Sequence, residues 1–268
     1  MDVASLQLCR SLLFLPASNP RAIEKARGLD ADMIVLDCED AVKPEDKGAA
    51  RAAAVAAVAG GFGKPVAIRM NTTTSQWFAD DVEAFRTSGA EVLVLPKAET
   101  PQQVQDGAML VGKPLLAMIE TASGVLNAAA IAPHTLGLVA GTNDLSADLE
   151  LPAGAGRAPL MHSLQVTVLA ARAARVAVFD GVYNGLEDEE GLIAQCVEGR
   201  SFGFDGKSLI HPSQIEIANR IFSPSEAEIE TAERLIAAAT GGAERFEGKM
   251  IETLHVDQAR ALLRKARR

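Results

Sequence analysis

The sequence predicts a (β/α)8 TIM barrel with a short C-terminal helical extension, and three observations carry that expectation. Eight short runs rich in Val, Ile and Leu recur along the chain, most of them followed by a turn and an Ala-rich amphipathic stretch. Their ends fall at intervals averaging about 28 residues, the length of one strand–helix unit when eight share roughly 250 residues. After the first run stands Leu15-Pro16-Ala17-Ser18-Asn19-Pro20 in place of a glycine-rich dinucleotide fingerprint, which favours the barrel over a doubly wound open sheet.

The runs cover residues 12–15, 33–36, 66–69, 92–95, 115–119, 136–140, 176–179 and 208–210. They are continuous rather than alternating, as strands covered on both faces are. Helical patterns fall between them at 47–58, 77–88, 101–110, 124–132, 159–174 and 188–200. Two more follow the eighth run. The first, 225–239, opens on the cap Ser223-Pro224-Ser225-Glu226 and closes at Gly241-Gly242, and the second covers 255–266. Residues 1–222 are expected to form the barrel, and 223–268 an extension packed on it or on a neighbouring subunit.

The 268 residues are 48% apolar and 23% charged, which excludes a disordered chain. Aromatic residues make up only 4%, so the core must be built from Ala, Val, Leu and Ile. A net charge of −9 argues against nucleic acid, whose phosphates demand clustered cations. The cations Arg260, Arg264, Lys265, Arg267 and Arg268 read as a solvated helix C-terminus placed to suit the helix dipole. Cys9, Cys38 and Cys196 are odd in number and widely spaced, so they suggest a reducing, cytoplasmic setting. Neither a membrane span nor a secretory signal is expected.

The C-terminal strand ends of such a barrel carry its chemistry. Here they read Asp37-Cys38-Glu39-Asp40, Arg69-Met70-Asn71, Pro96-Lys97-Ala98-Glu99, Glu120-Thr121, Gly141-Thr142-Asn143-Asp144, Asp180-Gly181-Val182-Tyr183 and His211-Pro212. All seven carry an ionisable group, and all are expected to converge on one mouth. Glu120 and Asp144 end adjacent strands, and two hard carboxylates without a thiolate describe a Mg²⁺ or Mn²⁺ site rather than zinc. The planar fork of Arg69 suits a substrate carboxylate or an enolate oxygen. A cation and an arginine flanking a carbonyl stabilise the charge that develops when the adjacent C–C bond breaks. That points to a metal-assisted lyase acting on a carboxylated substrate.

Glu39 and Asp40 read as further metal ligands, or as acids that fix Arg69 and the metal's waters from behind; either acid, or a metal-bound water, is also a candidate for the base. Lys97 admits a Schiff-base role, which Glu99 and the metal pair argue against. His211 reads equally as a rim cap or a base.

The motifs Arg10-Ser11-Leu12-Leu13-Phe14-Leu15-Pro16-Ala17, Asp37-Cys38-Glu39-Asp40-Ala41-Val42, Leu95-Pro96-Lys97-Ala98-Glu99, Ile119-Glu120-Thr121-Ala122, Gly141-Thr142-Asn143-Asp144-Leu145 and Gly206-Lys207-Ser208-Leu209-Ile210-His211-Pro212 occur in that order. Together they resemble the citrate lyase β-subunit-like branch of the HpcH/HpaI aldolase family, from about residue 10 to 262. The resemblance implies Mg²⁺ on Glu120 and Asp144 and substrate contact by Arg69. It also implies cleavage of citryl-, malyl- or citramalyl-CoA to acetyl-CoA and a 2-oxo acid, in a homotrimer or hexamer. Arg21 and Lys25 would face the CoA phosphates. By the same resemblance the chain is a stand-alone lyase, a β subunit active only with lyase-complex partners, or a thioesterase.

Two positions depart from the family pattern. Glu252 stands where an Asp followed closely by Pro is usual; that Asp reaches a neighbouring subunit's site in members with thioesterase or synthase activity. Glu150 stands where Gly is usual.

Overall fold

The computed structural model describes residues 1–266, so Arg267 and Arg268 of the basic tail lie outside the described residues. Eight parallel strands close into one barrel in chain order: β1 (Ser11–Pro16), β2 (Met33–Asp37), β3 (Val66–Arg69), β4 (Val92–Leu95), β5 (Leu115–Ile119), β6 (Gly137–Ala140), β7 (Ala177–Asp180) and β8 (Gly206–Leu209). Every strand residue is buried except Pro16 at the end of β1, which is why the runs read as continuously apolar. β8 starts two residues before the apolar pattern begins, because Lys207 and Ser208 are buried and pair with Ser11 and Leu12 of β1.

Helices cover the strands: α1 (Val3–Leu6), α2 (Pro20–Ala26), α3 (Lys47–Ala59), α4 (Phe78–Arg86), α5 (Pro101–Val111), α6 (Ala122–Ile131), α7 (Thr142–Asp148), α8 (Met161–Ala174), α9 (Glu189–Phe202) and α10 (Ile215–Phe222). α1 and α7 are one- to two-turn elements that the apolar pattern does not reveal. Leu6 of α1 joins the barrel's inner cluster. That cluster contains Leu12, Phe14, Met33, Val35, Ala67, Val92, Val94, Leu116, Met118, Val139, Ala177 and Phe179, and this set defines which strand positions point inward.

The chain forms two compact units, Met1–Asn219 and Arg220 onward. The second holds α11 (Glu226–Ala238), a hairpin of β9 (Glu244–Phe246) and β10 (Lys249–Ile251), and α12 (Thr253–Ala266). A capping box between Ser225 and Glu228 starts α11. The hairpin was not expected from the sequence. Its strands are three residues long and largely polar, and its turn places Glu247 and Gly248 at φ 45° and 81°, as a two-residue primed turn requires. No helix among the described residues is long and apolar enough to cross a membrane.

Candidate active site

The period of two along a strand carries three inward positions up to the C-terminal rim. Asp37 follows Met33 and Val35, Arg69 follows Ala67, and Glu120 follows Leu116 and Met118. Register then sets Asp37 directly beside Arg69 on the neighbouring strand. The guanidinium meets the carboxylate with two bonds, Nε to Oδ1 at 2.7 Å and Nη2 to Oδ2 at 2.5 Å. The bidentate edge of the fork, read from the sequence as suited to a substrate carboxylate or an enolate oxygen, is taken here by Asp37. Nη1 remains, 3.1 Å from Glu39 Oε2 and 3.7 Å from Met118 Sδ, with the guanidinium above the Phe14 ring. Burial opposes the charge on Arg69, but Asp37 and Glu39 outweigh it and hold the group firmly protonated.

Glu120 is 2% exposed. Its Oε1 accepts the Lys97 backbone N–H at 2.8 Å. Lys97 presents that N–H from a left-handed backbone, φ 49°, a conformation that costs a non-glycine residue about 1–2 kcal/mol. Gly141 makes room for the same carboxylate, since a Cβ there would stand 2.3 Å from Glu120 Oε2. Burial pushes the Glu120 carboxyl up to about 7; Arg69 opposes this and the charge of Asp144 adds to it.

The Lys97 ammonium lies 3.2 Å from Glu39 Oε1, 3.2 Å from Asp144 Oδ2 and 3.9 Å from Asp40 Oδ1. Burial disfavours its charge, yet Glu39 and Asp40 raise its pKa. A lysine held so firmly protonated is not a Schiff-base nucleophile. Glu39 is buried, and burial raises its pKa against the pull of Arg69.

A cavity of about 590 Å³ opens above these groups. Asp37, Asp40, Arg69, Lys97, Glu120 and Asp144 form its polar side, and Phe14, Pro16, Met118, Ala140, Val182 and Ile210 its apolar wall. The strand-end groups therefore do not all converge. Asp180 alternates with inward Phe179, so it faces outward, fully buried, to Lys207 Nζ at 2.9 Å and Arg157 Nη2 at 2.8 Å. His211 caps the turn Pro212–Gln214, and Tyr183 bonds Asp188. Glu39 stands behind the cavity, bridging Arg69 and Lys97.

Arg21 and Lys25 are exposed on α2 and do not line the cavity. Glu252 belongs to the second unit, where its backbone N–H donates to His255 Nδ1 at the start of α12. Glu150, at the position usually Gly, has φ 52°, the left-handed region that a glycine would occupy without strain. Asp37 was expected at the mouth without a role of its own, and Lys97 with a Schiff-base role rather than as the partner of Glu39 and Asp144. Counting by twos from Val35 would have turned Asp37 inward; nothing in the sequence announces the turn that aims Lys97.

Among the described residues no three His, Cys, Asp or Glu side chains form a metal-holding group. Glu120 and Asp144 both line this mouth and could hold a cation there, leaving its remaining positions for substrate and water. That donor set suits Mg²⁺ or Mn²⁺.

Family models extend this picture across the chain. Residues 10–212 match the model described as HpcH/HpaI aldolase/citrate lyase, and residues 159–268 match a C-C bond lyase of the TIM-barrel fold. The chain belongs to the HpcH/HpaI aldolase/citrate lyase family. It is thereby an enzyme of a lyase family. A (3S)-malyl-CoA thioesterase of Cereibacter sphaeroides is 46% identical over 268 residues, covering 96% of this chain and 94% of the relative. The citrate lyase β subunit of Leuconostoc mesenteroides is 34% identical, covering 90% and 86%. Among solved structures, CitE from Mycobacterium tuberculosis in complex with magnesium, acetoacetate and coenzyme A superposes with a TM-score of 0.85. It is 32% identical, and the match covers 98% of this chain and 100% of that one.

Proposed function

We propose that this family member is a cytoplasmic lyase that splits a malyl-CoA-type 3-hydroxyacyl thioester into acetyl-CoA and a 2-oxo acid, with Mg²⁺ or Mn²⁺ held by Glu120 and Asp144. The observation that carries the reading is the single mouth at which the Arg69–Asp37 pair, Glu120 and Asp144 meet an apolar wall. The magnesium in the CitE complex supports it. When bound, the cation supplies positive charge for the oxygens of a 2-hydroxy acid end.

The chain's own groups supply the rest. Asp40, half-exposed at the mouth, takes the proton of the substrate's 3-hydroxyl. The hydroxyl carbon becomes the carbonyl of the 2-oxo acid as the bond between C2 and C3 breaks. The released electron pair passes into the thioester as an enolate, and protonation at C2 completes acetyl-CoA. Arg69 Nη1, aimed inward by Asp37, stabilises the developing negative charge. The cavity's cations are Arg69 and Lys97, set against four carboxylates. A second substrate carboxylate, as in a citryl group, would find no uncommitted cation, which favours the malyl class.

The thioesterase relative favours a second reading, hydrolysis, in which water attacks the thioester carbonyl and CoA leaves as the thiol. Purified protein with Mg²⁺ and malyl-CoA separates the two. The lyase forms glyoxylate and acetyl-CoA without free thiol; the hydrolase releases thiol without glyoxylate. Product formation only after lyase-complex subunits are added would make the chain a β subunit instead. Glu120→Ala should abolish turnover and Mn²⁺ binding, and retention of both sinks the metal assignment.

A further inference from the structure

Lys47 is 6% exposed, and its ammonium stands outside the cavity, behind the loop that follows β2. Its Nζ donates to three acceptors, the carbonyls of Cys38 at 2.9 Å and Glu39 at 2.7 Å and Asn71 Oδ1 at 2.8 Å. An ammonium has three donors, so all of them are used. Among the described residues no carboxylate touches it, and the face of Trp77 lies 5.1 Å away. Helix chemistry does not explain the residue. Lys47 is the first residue of α3, where the macrodipole disfavours a cation.

The acceptors explain it. Asn71 is fixed by Asp81, whose Oδ2 accepts the Asn71 backbone N–H at 2.7 Å and Nδ2 at 2.8 Å; Arg51 holds the other oxygen of Asp81 at 2.7 Å. This buried chain anchors the ammonium to β3 and α4. On its opposite side the loop is pinned by Asp37, which accepts the N–H groups of Glu39 at 2.8 Å and Ala41 at 3.2 Å. The peptides around Glu39 are therefore clamped from both sides, by a carboxylate at the rim and an ammonium behind. Glu39 in turn bridges Arg69 and Lys97.

We infer that Lys47 is a positioning residue for the reaction: through the Cys38 and Glu39 carbonyls it holds the Glu39 carboxylate, and hence Arg69 Nη1 and the Lys97 ammonium, in working geometry. The inference rests on the proposed function for its kinetic arm and on the fold alone for its structural arm. The structural arm is hydrogen exchange on Lys47→Met. Amides of residues 39–42 should exchange at least about tenfold faster while those of β4–β6 stay unchanged. In the kinetic arm, Lys47→Met should lower kcat about 10- to 100-fold with KM within about threefold. Added to Glu39→Gln, it should cost no more than about a further threefold, because both changes act through one carboxylate.

Unchanged exchange over 39–42 overturns the inference, and so do losses that multiply independently in the double variant. If Lys47→Met does not fold, Asn71→Ala keeps the ammonium and removes one acceptor; it should show the same pattern at smaller size, and wild-type exchange there overturns the inference. A wild type that turns over no acyl-CoA refutes the proposed function, and the exchange arm then decides the role of Lys47 by itself.

Discussion

Asp37 and Arg69 are register partners at the ends of β2 and β3, and Asp180 and Lys207 are register partners at the ends of β7 and β8. Both pairs set a carboxylate beside a cation, and both are nearly or wholly removed from solvent. They differ by one residue of strand phase. Asp37 and Arg69 share the inward phase of Val35 and Ala67 and end in the cavity. Asp180 follows inward Phe179 and so points out between strand and helix. There Lys207 is completed by Gln195 of α9 at 2.7 Å and the Gly181 carbonyl at 2.5 Å. The inner pair lines the cavity and leaves one guanidinium nitrogen, Nη1, to Glu39 and Met118; the outer pair spends every donor on the protein. Phase therefore separates cavity-lining from bracing groups here, although their chemistry is alike.

That contrast breaks most sharply by substitution on each side. Lys207→Met should lower stability by about 3–5 kcal/mol, because buried Asp180 loses a partner, while the folded fraction keeps its kcat. Arg69→Lys should leave stability closer to wild type and lower kcat about 100-fold, since an ammonium cannot reproduce the bidentate contact with Asp37. Denaturant titrations paired with steady-state rates test both. Loss of kcat in folded Lys207→Met would end the sorting by phase.

Next in size is Gly141→Ala. Its Cβ collides with Glu120, so the carboxylate must move, and a shift of that kind costs about 100-fold in rate. A wild-type kcat would show that Glu120 tolerates displacement.

The inner site should also carry a pH signature that the outer brace does not. The Glu120 carboxyl is raised from 4.5 to about 7 in the folded state, which therefore binds the proton more readily between those values. Stability then falls as pH rises from about 4.5 to 7, by up to ~3 kcal/mol. Glu120→Gln should flatten that slope in urea titrations at pH 5 and pH 8. Saturating Mg²⁺ should stabilise the wild type more at pH 8, where the carboxylate is ionised. Equal slopes in the two proteins would contradict the burial argument.

The smallest effect lies at the rim. Glu150→Gly relieves a left-handed residue, and after the entropy glycine adds to the unfolded chain the net gain is about 0–1 kcal/mol. A clear loss of melting temperature would mean that the Glu150 side chain contributes more than its backbone costs.

The barrel was legible because strands covered on both faces leave uninterrupted apolar runs, and the repeat length did the rest. Arg69 and Glu120 were legible as polar residues closing or directly following such runs, and Asp144 as the acid four residues beyond the sixth, where it falls in α7. Phase was not used, which is how Asp180 joined the expected mouth and why Asp37 was given no role beside Arg69 there. Lys47 was hidden for another reason. At the first position of a helix it reads as a solvated cation, and only tertiary contacts reveal two backbone carbonyls in need of a donor. The β9–β10 hairpin was hidden because three-residue polar strands carry no period.

The pairing of Ser11 with Lys207 joins strands roughly 200 residues apart, a contact of high order that forms slowly. A ribosome-bound chain has therefore synthesised Asp37, Arg69, Lys97, Glu120 and Asp144 long before β8 emerges. Until then β1 and β7 are open parallel edges, and the mouth lacks Ser208 and Ile210 from its wall. β8 is thus both the seam that seals the barrel and the strand that completes the wall of the cavity.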